Sequence, residues 1–127
     1  MSPKQQFSDK LLAYLDKSKL LRIRAGSEHR FIGIWAVVEK NRAFVRSWSV
    51  KPNGWYETFL KDPSGAIEVD GDEIAIRAVP IKDKRLRDAI DQAYLEKYNT
   101  KGSLKYAKDL GSAKSRATTI ELVPVRS

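Results

Sequence analysis

The residues with the richest chemistry in this chain lie between Ala43 and Leu60. In order they are Arg46, Ser47, Trp48, Ser49, Lys51, Trp55 and Tyr56. A guanidinium binds phosphate through two parallel hydrogen bonds, Lys51 adds a mobile charge, and residues two apart, such as Ser47 and Ser49, share one side of a strand. Aromatic side chains can cover a flat ring, and backbone amides converge at a tight turn. The segment therefore predicts a site for a ligand that joins a phosphate to an aromatic ring.

Each of these residue types also has a purely structural use. Alternating arginine and serine is typical of a strand that faces solvent. Trp48, Trp55 and Tyr56 are the kind of side chain that anchors a core or a subunit interface, and on residue type alone that is their commoner use. The residues by themselves leave both uses open.

Several other chemistries lack the residues that they need. The chain has no cysteine, which excludes disulfides, thiol catalysis and cysteine-bound zinc, and His29 is its single histidine. We therefore expect no transition-metal site. No serine has a histidine or lysine base at a recognisable spacing, so hydrolysis by a serine nucleophile is not predicted.

The composition favours one soluble domain with an anionic partner. The 127 residues are 42% hydrophobic and 31% charged, and 24 Lys and Arg against 16 Asp and Glu give a net charge of +8. Such a charge attracts nucleic acid, nucleotides or phosphorylated cofactors. The segment 100–116 is predicted as a basic loop, either solvated or a binding arm. The chain shows no signal peptide and no membrane-spanning run, so we expect a cytoplasmic protein.

The first half of the chain predicts a helix followed by strands. Residues 1–19 carry an N-terminal helix capped by Ser8. Leu20–Arg24 alternates like a half-buried strand, and Phe31–Val38 is apolar on both faces, which predicts a central strand buried on two sides. Ala43–Val50 is the next strand and forms a hairpin with it.

The second half alternates short helices with strands. A short helix from Trp55 ends at Asp62-Pro63, and a hairpin turns at Asp70-Gly71. Asp83 caps a helix that runs to about Tyr98. Ala117–Val125 is the last strand, with Pro124 placing its end at a sheet edge. Helices among antiparallel strands indicate an α+β fold, and about six strands of this kind would curl into a barrel that leaves no open edges.

Several short motifs resemble a known superfamily. They are Phe44-Val45-Arg46-Ser47, Gly54-Trp55-Tyr56, Ala89 to Tyr94 with Lys97-Tyr98, and Ala117 to Pro124. Over about residues 20–125 the chain is similar to an uncharacterised bacterial family, a domain of unknown function, within the flavin and deazaflavin (pyridoxamine-phosphate-oxidase-like) split β-barrel superfamily. The resemblance implies a six-stranded antiparallel split barrel with an N-terminal helix, a short helix after strand 3 and a longer helix before the last strand.

The resemblance also implies a homodimer with cofactor grooves at the subunit junction, and flavin mononucleotide (FMN) or a deazaflavin as ligand. The resemblance and the residue types together predict these cofactor-binding residues: Arg30, Trp35, Arg46, Ser47, Ser49, Trp55, Tyr56 and Lys97. A bound flavin would carry redox chemistry, which predicts an oxidoreductase acting on a small molecule. Two alternatives stay open: a cofactor-free barrel dimer that binds another small ligand, and a basic barrel that binds nucleic acid.

Overall fold

The computed structural model describes residues 7–26, 30–48 and 54–125. The helices are α1 (Asp9–Lys17), α2 (Trp55–Lys61), α3 (Lys84–Lys97), α4 (Leu104–Asp109) and α5 (Ala113–Arg116). The strands are β1 (Leu21–Ala25), β2 (Ile32–Ile34), β3 (Ala36–Glu39), β4 (Arg42–Val45), β5 (Ser64–Val69), β6 (Asp72–Pro80) and β7 (Ile120–Pro124). The described part of the chain is thus α+β, as predicted.

The strands form one antiparallel sheet that nearly closes into a barrel. Its order is β2-β1-β5-β6-β7-β4-β3, so the two outer strands, β2 and β3, are consecutive in the chain. Ile34 pairs with Leu21 on β1, whereas Ala36 pairs with Val45 on β4. One bent stretch of chain therefore lies along both ends of the sheet.

The predicted single strand Phe31–Val38 is wrong, because the bend divides it into β2 and β3. The described residues consequently form seven strands instead of the predicted six. The break falls at Trp35, whose carbonyl accepts a hydrogen bond from the Tyr94 hydroxyl (3.0 Å). Ile32 and Gly33 are exposed, so burial on both sides holds only beyond the bend. The hydrophobic pattern could not reveal the bend, because a hydrogen-bond donor on a distant helix, the Tyr94 hydroxyl, holds the Trp35 carbonyl there.

Both predicted hairpins are confirmed and have two-residue turns. Lys40 and Asn41 (φ 54° and 61°), like Asp70 and Gly71 (φ 53° and 87°), have positive φ at both central positions. Turns of this kind match the right-handed twist of paired strands. The strand predicted as Ala43–Val50 ends at Val45, and its last residues, Ser49 and Val50, lie outside the described ranges.

The last strand is an interior strand, which corrects its predicted edge position. β7 lies between β6 and β4, and Pro124 is its final residue, paired with Ile76. A proline at the end of a strand removes no hydrogen bond from the middle of the ladder, so it does not require a sheet edge.

The helical caps follow the sequence closely. The Ser8 hydroxyl accepts from the Leu11 amide (3.2 Å), and the Asp83 carboxylate accepts from the amides of Arg85 (2.9 Å) and Leu86 (3.3 Å). These bonds satisfy amides that have no partner within the helix. The helices predicted after Ser8 and Asp83 are confirmed as α1 and α3.

The segment predicted as a basic loop contains α4 and α5. Ala107 and Leu110 are buried in a cluster with Ile90 and Tyr94 of α3, so apolar contacts hold the segment against the body of the protein. Its lysines, Lys101, Lys105, Lys108 and Lys114, are exposed. A loop was the wrong prediction here because the apolar positions are too few to show a helical period.

Candidate functional site

A cleft of about 270 Å³ opens where β2, the end of β4 and the start of α2 meet. Its lining residues are Ile32, Gly33, Ile34, Arg46, Ser47, Trp48, Gly54, Trp55 and Tyr56. Apolar and aromatic side chains dominate this lining, with few polar groups among them. That composition is typical of a site for a small organic molecule.

Two aromatic residues of the cleft belong to the first turn of α2, and both are anchored. The Trp55 ring packs edge-on against Phe59 (6.1 Å between centroids), and Phe59 is buried in the barrel core. The Tyr56 hydroxyl donates to the carbonyl of Ala117 (3.3 Å). The helix is itself closely packed, because a β-carbon on Gly65 of β5 would come within 2.7 Å of the Phe59 ring. These contacts hold the two rings at the edge of the cleft.

Ser47, which follows β4 in the chain, also lines the cleft. The residue is buried, and its amide donates to the Thr118 hydroxyl (2.8 Å). That hydroxyl in turn donates to the carbonyl of Ser115 (2.6 Å). The backbone at Ser47 is therefore fixed by the chain segment that precedes β7.

Arg46 is buried and directs its guanidinium into the protein. Its side chain has 0% exposed surface. Its N–H groups donate to the Thr119 hydroxyl (2.9 Å), the carbonyls of Leu110 (2.8 Å) and Arg87 (2.9 Å), and the Asp91 carboxylate. Burial lowers the pKa of Arg46, and the hydrogen bond that its guanidinium donates to Asp91 opposes that shift. The guanidinium donors that were predicted to bind a phosphate are paired with protein acceptors in this structure. Because the side chain has no exposed surface, Arg46 contacts the cleft through its backbone.

A charged network extends from Arg46 across α3 to α5. Arg116 contacts Asp91 and also donates to Asp88 (2.8 Å), which accepts from Lys84 (3.1 Å) as well. Hydrogen bonding to Arg116, and then to Lys84, lowers the pKa of Asp88. Arg116, predicted as part of a basic loop, is therefore engaged in ion pairs.

Among the other predicted cofactor residues, Arg30, Trp35 and Lys97 are absent from the described cleft lining. Arg30 is exposed, and Ser49 lies outside the described residues. Trp35 stacks on Tyr98 (3.9 Å between centroids) and meets Trp48 edge-on (5.0 Å) beside the cleft. Of the predicted set, the structure brings together Arg46, Ser47, Trp55 and Tyr56.

Among the predicted cofactor-binding residues, Lys97 has the clearest structural role. Its ammonium group donates to the carbonyls of Leu15 (2.8 Å) and Ala36 (2.6 Å), which connects α3 to α1 and β3. Burial lowers the pKa of Lys97 from 10.5 to about 8, and the nearby Asp16 partly opposes that shift.

Sequence reasoning missed the wall formed by Ile32, Gly33 and Ile34. These residues were assigned to a strand buried on both sides, and a glycine within an apolar run was the only available sign of an open surface. The lining also contains Trp48, which is not among the predicted cofactor residues.

Across residues 7–26, 30–48 and 54–125, no helix combines the length and apolarity needed to cross a bilayer. Within the same ranges, no three His, Asp or Glu side chains are grouped so that they could hold a metal ion.

Fold and cleft together define an α+β protein with a nearly closed antiparallel barrel and an aromatic cleft at the bend in its sheet. Residues 13–122 match the family described as "Uncharacterized protein conserved in bacteria (DUF2255)", and the chain belongs to that family. The resemblance to an uncharacterised bacterial family is thereby confirmed. No curated protein sequence matches the chain significantly.

Solved structures with the same fold are distant in sequence. A conserved hypothetical protein of Mycobacterium tuberculosis aligns with a TM-score of 0.59 and 8% identity, over 100% of this chain and 84% of the other. A FAD-binding protein of Mesorhizobium loti aligns with a TM-score of 0.53 and 11% identity, over 95% of this chain and 91% of the other. At these identities the likeness shows a shared fold.

Proposed function

We propose that the cleft binds the ring system of a flavin or deazaflavin. The observation that carries this proposal is the lining, in which three aromatic residues, Trp48, Trp55 and Tyr56, share one cleft with the apolar strand β2. Aromatic side chains stack on flat heteroaromatic rings, and such contacts contribute about 1–3 kcal/mol for a nucleic-acid base. The FAD-binding protein of the same fold adds support from outside the chain.

The cleft suits the ring of such a cofactor better than its phosphate. The only Lys or Arg among the described lining residues is Arg46, whose guanidinium is engaged by protein acceptors. A phosphate would need a cation from outside this lining. The site as described would therefore discriminate little between a phosphorylated flavin and an uncharged one.

A bound flavin would supply hydride or electron transfer, which would make the protein an oxidoreductase acting on a small molecule. The residues of the chain would bind and orient the ring and exclude water from it. Trp55 and Tyr56 suit that task because their positions are fixed by Phe59 and by the carbonyl of Ala117.

We further propose that a second copy of the chain completes the site. The cleft, at about 270 Å³, lies just below the roughly 300–1,000 Å³ of typical ligand pockets. Leu20, which would contact a β-carbon on Gly33 at 3.6 Å, is 60% exposed, and Ile32 is 39% exposed. An apolar margin beside an incomplete cleft fits a homodimer with its ligand at the junction.

Titration of the protein into lumiflavin, riboflavin, FMN and a deazaflavin, followed by ligand fluorescence, tests this function. We expect saturable quenching, with riboflavin and FMN binding within about threefold of each other because no described cation faces the phosphate. Trp55→Leu should weaken binding roughly 5- to 100-fold, as expected for losing one stacking partner. Tyr14→Leu, which alters a tyrosine on α1 that is 42% exposed and lies outside the cleft lining, is the matched control. Absence of quenching by every flavin at high protein concentration would overturn the proposal.

A second candidate is a cofactor-free barrel that binds another small planar molecule. The engaged guanidinium of Arg46 favours it, since this leaves the described cleft without a phosphate anchor. Saturable binding of a planar aromatic compound other than a flavin, in protein that binds neither lumiflavin nor FMN, would support this candidate.

A further inference from the structure

A second aromatic recess lies beside the cleft and has a different chemical character. It is lined by Trp35, Trp48, Tyr106 and Asp109 and has a volume of about 520 Å³. Tyr106 and Asp109 are three residues apart on α4, which places them on the same side of that helix. Three aromatic rings and one carboxylate therefore border the same space.

The rings form a corner rather than a flat platform. Trp35 and Trp48 meet at an interplanar angle of 71°, with 5.0 Å between centroids. Tyr98 stacks on Trp35 at 3.9 Å and 1°, which covers one face of that indole. The Trp48 indole N–H donates to the carbonyl of Tyr106 (3.2 Å), which ties the second wall to α4. The walls are thus held in place by contacts within the described part of the protein.

A corner of this shape favours a rounded cation over a flat ring. A planar ligand stacks on one wall only, whereas the methyl groups of an alkylammonium ion contact two perpendicular walls at once. The negative faces of aromatic rings attract such cations by about 0.5–2 kcal/mol each. The carboxylate of Asp109 adds the opposite charge. We propose that this recess binds a quaternary or methylated ammonium group.

The charges around the recess agree with a cation of this class. Among the described residues Asp109 has no ion-pair partner, and it is the one acidic residue of α4. Lys105 and Lys108 are exposed on the same helix and oppose a cation, but at physiological salt the Debye length of about 8 Å screens exposed charges. A weakly hydrated methylated ammonium group tolerates this setting because much of its binding is apolar contact.

Comparing the binding of choline with that of its neutral isostere, 3,3-dimethylbutan-1-ol, distinguishes a cation site from an apolar patch. At constant ionic strength, choline should shift the indole N–H resonances of Trp35 and Trp48 saturably and leave that of Trp55 in place. The neutral isostere should bind about two- to thirtyfold more weakly, which is the span of one cation–π contact. Equal binding of both compounds, or no saturable shift with choline up to about 100 mM, would overturn the proposal.

Two variants test the contributions of the carboxylate and of an aromatic ring to choline binding. Asp109→Asn should weaken choline binding about two- to fivefold, as expected for one exposed opposite charge, while Asp72→Asn at the exposed start of β6 should leave it unchanged. Tyr106→Leu should weaken it by a similar or larger factor. An unchanged affinity in both Asp109→Asn and Tyr106→Leu, with native circular dichroism, would also overturn the proposal. Neither outcome depends on whether the neighbouring cleft binds a flavin.

Discussion

At the scale of single residues, Arg46 shows how one side chain can connect several elements. It follows β4, yet its guanidinium contacts Thr119 before β7, Asp91 and the carbonyl of Arg87 on α3, and Leu110 after α4. A buried arginine is tolerated because its donors are paired with acceptors. Its removal leaves those acceptors without a donor, which costs more than the pair itself contributes.

Arg46→Met should therefore lower the free energy of unfolding by about 3 kcal/mol or more, measured by urea denaturation. Arg22→Met is the matched control, because Arg22 pairs with Glu68 (3.1 Å) but its side chain is 57% exposed. Exposed pairs contribute about 0–1 kcal/mol. A loss at Arg46 no larger than the loss at Arg22 would contradict this role of the buried guanidinium.

At the scale of elements, Lys97 connects α3 to the end of α1 and to the start of β3. The ammonium group is partly desolvated, and its pKa in the folded protein is about 8 against 10.5 for an ordinary lysine. Between these values the unfolded chain binds more protons than the folded chain, so stability rises with pH in that range. A neutral amine keeps two N–H donors, which can serve both carbonyls.

The stability of the native protein should consequently rise from pH 8 to pH 10, relative to Lys97→Met, in urea denaturation series at each pH. Above about pH 10 a second group acts in the opposite direction, because burial raises the pKa of Tyr98 to about 12 and folding then disfavours its ionisation. Lys61→Met, at an exposed position on α2, should show the pH dependence of the native protein. Parallel pH curves for native protein and Lys97→Met would show that the ammonium group is not desolvated.

At the scale of the whole molecule, the proposed dimer connects the exposed apolar margin to the cleft. Leu20→Lys should shift the protein toward monomer by about tenfold or more, since a charge buried without a partner costs several kcal/mol. Sedimentation velocity over a concentration series measures this shift, and riboflavin binding should weaken in parallel. Val125→Lys is the control, because Val125 is the last described residue and is 52% exposed. A monomer at every concentration in the native protein would refute the dimer.

The sequence by itself determined the local parts of this protein. Serine and aspartate caps, the Asp70-Gly71 turn and the alternation of Ile67 and Val69 act over a few residues, and they predicted α1, α3 and the hairpins correctly. The α+β class followed from the order of these parts, whereas the family resemblance rested on short motifs such as Phe44-Val45-Arg46-Ser47 and Gly54-Trp55-Tyr56. Trp55 and Tyr56, which the sequence groups with Ser47, line the same cleft as that residue, because both lie in the first turn of the helix beside it.

Only the tertiary structure decided which way the key side chains point and where the sheet bends. Arg46 and Lys97 have residue types suited to phosphate, but their acceptors lie 41–73 and 61–82 positions away in the chain, and no local pattern encodes such a pairing. The bend at Trp35 likewise depends on the Tyr94 hydroxyl of a distant helix. Contacts of this range exist only after the barrel has formed, which is why the wall of the cleft at residues 32–34 and the recess beside Tyr106 could not be predicted from the sequence.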